Sequence, residues 1–265
     1  MIRLLLMALF FVSCNGNAIQ KENTEVKSYQ TQIEQINSDT LLVEIQSKIR
    51  NAFVQSLMAK DNEKLVALSN KLEELYTGKK HNIILYWRSY LQFYSSIYHL
   101  ENGDKKTAEQ EIDKGIEWIN EMENKNSEDY ALLAMLQGFG IQFKGMKAMF
   151  ISKDIKENAK KAIAIDSTNL RAYYVYASND FHTPKKYGGG TEAEEYLLKA
   201  LSLPEQKVEN KYLPSWGKEE SYEMLIKLYI RSEKWDLAKK YFKEGIEKYP
   251  DSYTINQLDS KLIEE

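Results

Sequence analysis

The sequence predicts an all-α fold of about five antiparallel helix pairs, on three observations. Glycine and proline are scarce, at 12 and 4 of 265 residues, whereas sandwiches, barrels and propellers use both at many turns. Apolar residues recur at helical spacing in segments of about 12 to 22 residues, and no run alternates with period two. Almost every break between segments carries Gly, Pro, Asn or Asp, the residues that cap helices and make turns. A hydrophobic fraction of 43% supplies a core, which excludes a disordered or collagen-like chain. With 36 Lys plus Arg against 39 Asp plus Glu, the chain lacks the cationic excess that drives binding to phosphate backbones, so nucleic acid is not an expected partner.

The N-terminus reads as an address. In residues 1–13, Arg3 precedes an apolar run over residues 4–12 and then Ser13, the pattern of a secretory signal. The run is far shorter than the roughly 20 residues that span a bilayer. The chain's one cysteine, Cys14, follows Phe11-Val12-Ser13 in an order that resembles the lipobox of bacterial lipoproteins, with Phe11 in place of the usual Leu. That resemblance implies that Cys14 becomes the lipidated first residue and tethers the protein to a membrane. One cysteine allows no internal disulfide, so packing must supply stability. Residues 14–39 are rich in Asn, Gln, Lys, Glu, Ser and Thr and read as a flexible tether. As a coil it holds the folded part on the order of 25 to 30 Å from the bilayer.

Residues 40–265 are expected to form the helical repeat domain. The segment 41–59 ends in Lys60-Asp61-Asn62, the segment 63–76 at Gly78, and the segment 82–100 at Asn102-Gly103-Asp104. Glycine there supplies a left-handed C-cap and Asp or Asn an N-cap. Ser95 and Ser96 face a second helix marked by Ala108, Ile112 and Gly115; residues 159–166 close another second helix. Next come Tyr173, Tyr176 and Ala177 on a first helix and Ala193, Leu197 and Ala200 on a second. The last pair has Tyr222, Leu225, Ile226 and Tyr229, then Ala238, Phe242 and Gly245, closed by Pro250. Large residues at three-, four- and seven-residue offsets fill the space between two helices, while Ala238 and Gly245 allow close approach.

These spacings resemble the tetratricopeptide repeat (TPR), a helix-turn-helix unit of 34 residues. Ile226 stands where a small residue is usual, Asp180 where an aromatic is usual, and the turn from Thr183 through Gly190 is four residues longer than the repeat's own. A narrower likeness rests on Ala131-Leu132-Leu133-Ala134-Met135, Asn169-Leu170-Arg171-Ala172-Tyr173, Thr183-Pro184, Tyr187-Gly188-Gly189-Gly190 and Pro214-Ser215-Trp216-Gly217. That combination is similar to an uncharacterised group of TPR lipoproteins from Bacteroidetes-type bacteria. It implies a Gram-negative envelope and transfers no active site.

The TPR resemblance implies a superhelix whose concave face, lined by first helices, binds a partner. Position by position the groove residues are Arg171, Tyr174, Ser178, Phe181 and His182, then Glu220, Glu223, Lys227, Ile230 and Arg231, with Tyr90, Phe93, Ile97 and Leu100 in an earlier unit. Aromatic side chains flanked by Arg and Lys suit an extended or helical peptide. The protruding turn with Tyr187, Gly188, Gly189 and Gly190 is a second candidate contact. Those glycines lack the Gly-Lys-Ser/Thr of a phosphate loop, and Thr191 reads as the next helix's N-cap. Tyr86, Tyr90, Tyr94 and Tyr98 recur every four residues, a stripe expected to be structural.

His81, His99 and His182 are too dispersed for a local metal motif, and no nucleophile elbow occurs, so no metal, cofactor or enzymatic activity is expected. The expected function is a lipid-anchored, non-enzymatic scaffold binding another envelope protein or peptide, at the periplasmic face of the outer membrane or at the cell surface. Two alternatives are a ligand-binding accessory of a solute transporter, with an enclosed tunnel between repeats that the aromatic stretch 86–98 and the small Gly138, Gly140 and Gly145 motivate, and an outer-membrane assembly lipoprotein.

Overall fold

The computed structural model describes residues 40–206 and 209–263, and every regular element among them is helical. The expected signal, Cys14 and the tether lie outside the described residues. Five pairs follow in order: α1 (Ile45–Ala59) with α2 (Glu63–Lys79), α3 (Asn82–Glu101) with α4 (Lys105–Glu121), α5 (Ser127–Gly140) with α6 (Ala148–Ile165), α7 (Leu170–His182) with α8 (Ala193–Ser202), and α9 (Lys218–Arg231) with α10 (Trp235–Lys248). Two short helices, α11 (Tyr253–Asn256) and α12 (Asp259–Ile263), cover the last pair. First helices touch first helices down the stack, and each second helix packs on its own partner and on the next first helix. Each pair therefore buries its apolar face only with its neighbours, the logic of a repeat stack.

Small residues set the close approaches as their spacing predicts. A Cβ on Gly115 would come within 3.2 Å of Gln92 Cβ and Ser89 O, so any larger residue there would push α4 a few tenths of an ångström from α3. Gly245 and Ala238 are buried against the last first helix, where Tyr222, Leu225, Ile226 and Tyr229 are buried too. Ser96, also buried, donates its hydroxyl to Ala108 O at 2.5 Å. The tyrosine stripe is structural as expected: Tyr86, Tyr90 and Tyr98 are buried and Tyr94 is half-buried.

Two capping expectations need correction. Gly78 lies inside α2, whose C-cap is Lys80 in the left-handed region. Thr191 caps nothing: α8 begins one residue later, and Asp180 Oδ2, reaching across from α7, accepts the N–H groups of Glu192 and Ala193 at 2.9 Å each. Asp180 stands where a TPR unit has an aromatic because this longer turn needs its orphan helical donors satisfied from outside. Elsewhere caps are local. Asp104 accepts from Thr107 N, and Asn126 and Asp129 form a reciprocal box at the start of α5.

Candidate binding groove

The N-terminal ends of α1, α3, α5, α7 and α9 share one edge of the stack, and the connection between α8 and α9 returns across it. Residues 209–217 have no helical periodicity, yet they are held along their length. Gln206 organises the turn, its amide donating to the carbonyls of Asn210, Leu213 and Pro214 and its oxygen accepting from Asn210 N. Lys211 O then accepts from Glu44 N at 2.9 Å, Tyr212 O from the Trp87 indole at 2.9 Å, and Ser215 N donates to Gln46 Oε1 at 2.8 Å. Backbone hydrogen bonds accepted and donated along a row of helix ends are one way such a surface can hold a peptide. Here the peptide is the chain's own.

Trp216 anchors this strap. It is 3% exposed, donates to Tyr86 Oη at 2.8 Å, stacks on Tyr90 at 6.4 Å between centroids and meets Tyr174 edge-on at 6.2 Å. Gly217, at φ +105°, turns the chain into α9 against Leu170 and Arg171; Glu220 completes the start of α9 by accepting Gly217 N at 2.6 Å.

Arg171 clamps the strap from below. It is 4% exposed and forks onto Glu128, Nε to Oε2 and Nη2 to Oε1, each 2.5 Å; Nη1 donates to Glu205 O and Trp216 O at 2.9 and 3.2 Å. Burial opposes its charge, but the Glu128 carboxylate more than offsets this and holds the guanidinium's pKa up. Breaking one side of such a pair costs about 3–5 kcal/mol.

Three expected groove residues are therefore corrected. Arg171, Tyr90 and Tyr174 do not line an open groove: the first two are buried, and Tyr174 packs on Trp216. Phe93 lies edge-on to Phe139 and Tyr94 in the core between pairs, and Ile97 and Leu100 are half-buried. Burial pushes the Tyr94 hydroxyl up to about 12, with Tyr90 Oη 3.3 Å away.

The rest of the predicted face is open. Ser178, Phe181 and Ile230 are half-buried, while His182, Lys227 and Arg231 are exposed. Arg231 bridges two pairs, its guanidinium 3.9 Å from the Phe181 ring centroid and donating to Phe181 O at 3.0 Å. His182 Nδ1 lies 2.8 Å from Ser178 O, and Lys227 pairs with Glu223 one turn earlier. The turn residues Tyr187, Gly188 and Gly190 are exposed, and Gly189 is buried against Thr183, where a Cβ would overlap backbone.

Of the three glycines that motivate the tunnel, Gly140 is buried and Gly138 and Gly145 are exposed. Gly140 is filled by Ile112 and Ile116, and nothing stands near Gly138 or Gly145. A cleft of about 1030 Å³ does occur between α1 and α2, lined by Ala52, Leu68, Leu75 and the lysines 48, 64 and 71, away from the groove. Among the described residues no cluster of His, Cys, Asp or Glu is arranged to hold a metal ion, and no helix is long and apolar enough to cross a membrane. Sequence reasoning missed the strap and its holders Gln206 and Glu128, and it missed Asp180 as the acceptor at the start of α8. Trp216 was the available signal: a large aromatic in an aperiodic segment must bury its ring against something.

No protein-family model matches the chain, and no curated protein does. Among solved structures, a thermophilic TPR protein of Thermus thermophilus is similar, with a TM-score of 0.52 and 14% identity over 81% of this chain and 99% of that one. The likeness gives the fold, an all-α TPR-like helical repeat.

Proposed function

We propose that the protein is a non-enzymatic scaffold, tethered by a lipid on Cys14, whose inner face holds a segment of another protein of a Gram-negative envelope. A TPR-like fold suits protein–protein interaction. The observation that carries the reading is the division of the inner face: a strap already lies across the N-terminal ends of the first helices, and Phe181, His182, Lys227 and Arg231 remain accessible beyond it. Phe181 under Arg231 offers an aromatic floor beside cationic side chains, which favours a segment carrying an apolar anchor and a carboxylate. The expected setting is the periplasmic face of the outer membrane.

The test is site-specific photo-crosslinking in cells from position 181 or 227, with a crosslinker at buried position 90 as reference. A discrete adduct from 181 and 227, absent from 90 and lost in Lys227→Glu/Arg231→Glu, is expected. Adducts no stronger from the open positions than from position 90 would overturn the reading. Cys14→Ser, which removes the lipid site, should abolish incorporation of a labelled fatty acid into the protein while leaving the adduct obtainable with purified partner.

A further inference from the structure

The edge opposite the strap carries a feature that the scaffold reading leaves unused. Where α5 ends, the chain passes through two short 3₁₀ turns, Ile141–Phe143 and Gly145–Lys147, and enters α6 with Met146, Met149 and Phe150 at 98%, 65% and 68% exposure. The next turn on this edge, between α7 and α8, presents Tyr187 at 64% exposure. The two turns are fixed beside each other. Ser152 Oγ donates to Asn179 Oδ1 at 3.1 Å, and Lys156 reaches Asp180 and Glu192 at 3.7 and 3.2 Å, tying the start of α6 to the end of α7.

The charged residues on the two turns themselves are all lysines. Lys147, Lys185 and Lys186 are exposed, and among the described residues no carboxylate pairs with them; Lys186 instead lies 4.9 Å over the Tyr187 ring. The nearest acids are otherwise engaged: Glu109 and Asp113 hold Lys144, and Glu157 pairs with Lys153, leaving Asp154 as the exposed carboxylate on the first turns of α6. The whole chain is slightly acidic, at −3, so this cationic edge is local. Its shape matters equally. A Cβ at Gly145 or Gly188 would touch nothing within 4 Å, so each turn faces open space on one side and carries its apolar residues as a separate exposed knob. Knobs of Met, Phe and Tyr among unpaired lysines lack the concavity that grips a peptide. They match a bilayer surface, where apolar side chains enter the acyl boundary, aromatic rings sit at headgroup level and lysines meet lipid phosphates.

We infer that the edge carrying Met146, Met149, Phe150 and Tyr187 with Lys147, Lys185 and Lys186 docks on an anionic membrane surface. This contact is independent of any lipid at the N-terminus, and it orients the open inner face relative to the bilayer.

The experiment uses the full-length chain with Cys14→Ser, so that one introduced cysteine carries an environment-sensitive fluorophore, at position 146 or, as control, at exposed position 58 on α1. The reporter is local, so attachment through the apolar run of residues 4–12 leaves it unmoved. On vesicles of phosphatidylcholine with one-third phosphatidylglycerol, the label at 146 is expected to shift to the blue and the label at 58 to stay unchanged. Phosphatidylcholine alone or high salt should weaken the shift. Lys147→Glu/Lys185→Glu/Lys186→Glu should raise the lipid concentration at half-shift about tenfold, and Met149→Ser/Phe150→Ser likewise. No shift at 146 on anionic vesicles, equal shifts at both positions, or an unchanged half-shift in the lysine variant would each overturn the proposal. So would a label at 146 that responds to a protein from a membrane-free extract while remaining silent on vesicles.

Discussion

At the edge where the first helices begin, Trp216 is 3% exposed, Arg171 is 4% exposed with its guanidinium hydrogen-bonded through all three nitrogens, and an aperiodic segment is hydrogen-bonded to helices more than a hundred residues away in sequence. At the edge where they end, Met146 is 98% exposed, two glycines stand in open space, and lysines lack partners among the described residues. Both edges are made of loops with the same repeat behind them. The first loop is long enough to return over the inner face and bury an indole; the others turn back at once and leave their apolar residues outside. In a repeat stack most contacts are between neighbours, so a non-local strap is the element able to make distant pairs unfold together.

The strongest way to break this contrast is Trp216→Ala. Removing the indole opens a cavity between Tyr90 and Tyr174 and strips Tyr86 Oη of its donor, an expected cost of about 3–5 kcal/mol by denaturant unfolding. The matched substitution at the other edge, Phe150→Ala, also removes an aromatic ring and should change stability by less than about 0.5 kcal/mol. Equal costs would mean that the strap is not a clamp.

Gly217→Ala sharpens the same point with a smaller change. The residue sits at φ +105°, and an added Cβ would lie 2.8 Å from Leu170 Cδ1 and 3.0 Å from Arg171 Cγ. Backbone strain and overlap should cost about 1–3 kcal/mol. Gly188→Ala, also at positive φ but with nothing within 4 Å, meets only the backbone term and should cost less in parallel melts.

The five helix pairs were legible because their determinants are local. Ala238 and Gly245, or Ala108 and Gly115, carry a packing rule that needs only seven residues of sequence to read. The strap was not legible for the opposite reason. Between Pro204 and Lys218 no period exists, and its partners Glu44, Gln46, Tyr86 and Trp87 lie 125 to 169 residues away. The groove residues lie on the first helices, but a TPR pattern cannot reveal that another segment packs over Tyr90, Arg171 and Tyr174. Asp180 shows the same limit at short range: its departure from the pattern was visible, and its role became clear only with the α8 donors beside it.

Glu220 gives the smallest expected effect and the most direct measure of how closed the strap edge is. Burial raises its pKa from 4.5, although its own N–H and that of Gly217 pull the other way. A folded value above the unfolded one means that folding favours the protonated acid. That contribution is fully present below pH 4.5 and is lost as pH rises through the raised folded value. Glu220→Gln keeps an oxygen to accept from Gly217 N and carries no charge at any pH. Melts of the two proteins should therefore nearly coincide below pH 4.5, and the variant should become the more stable of the two as pH rises to neutrality. In a Trp216→Ala background, with the strap loosened and water admitted to the carboxylate, that pH-dependent gain should shrink. A gain that persists unchanged would locate the desolvation in the helices alone, and the strap would then be a passenger on this edge rather than its seal.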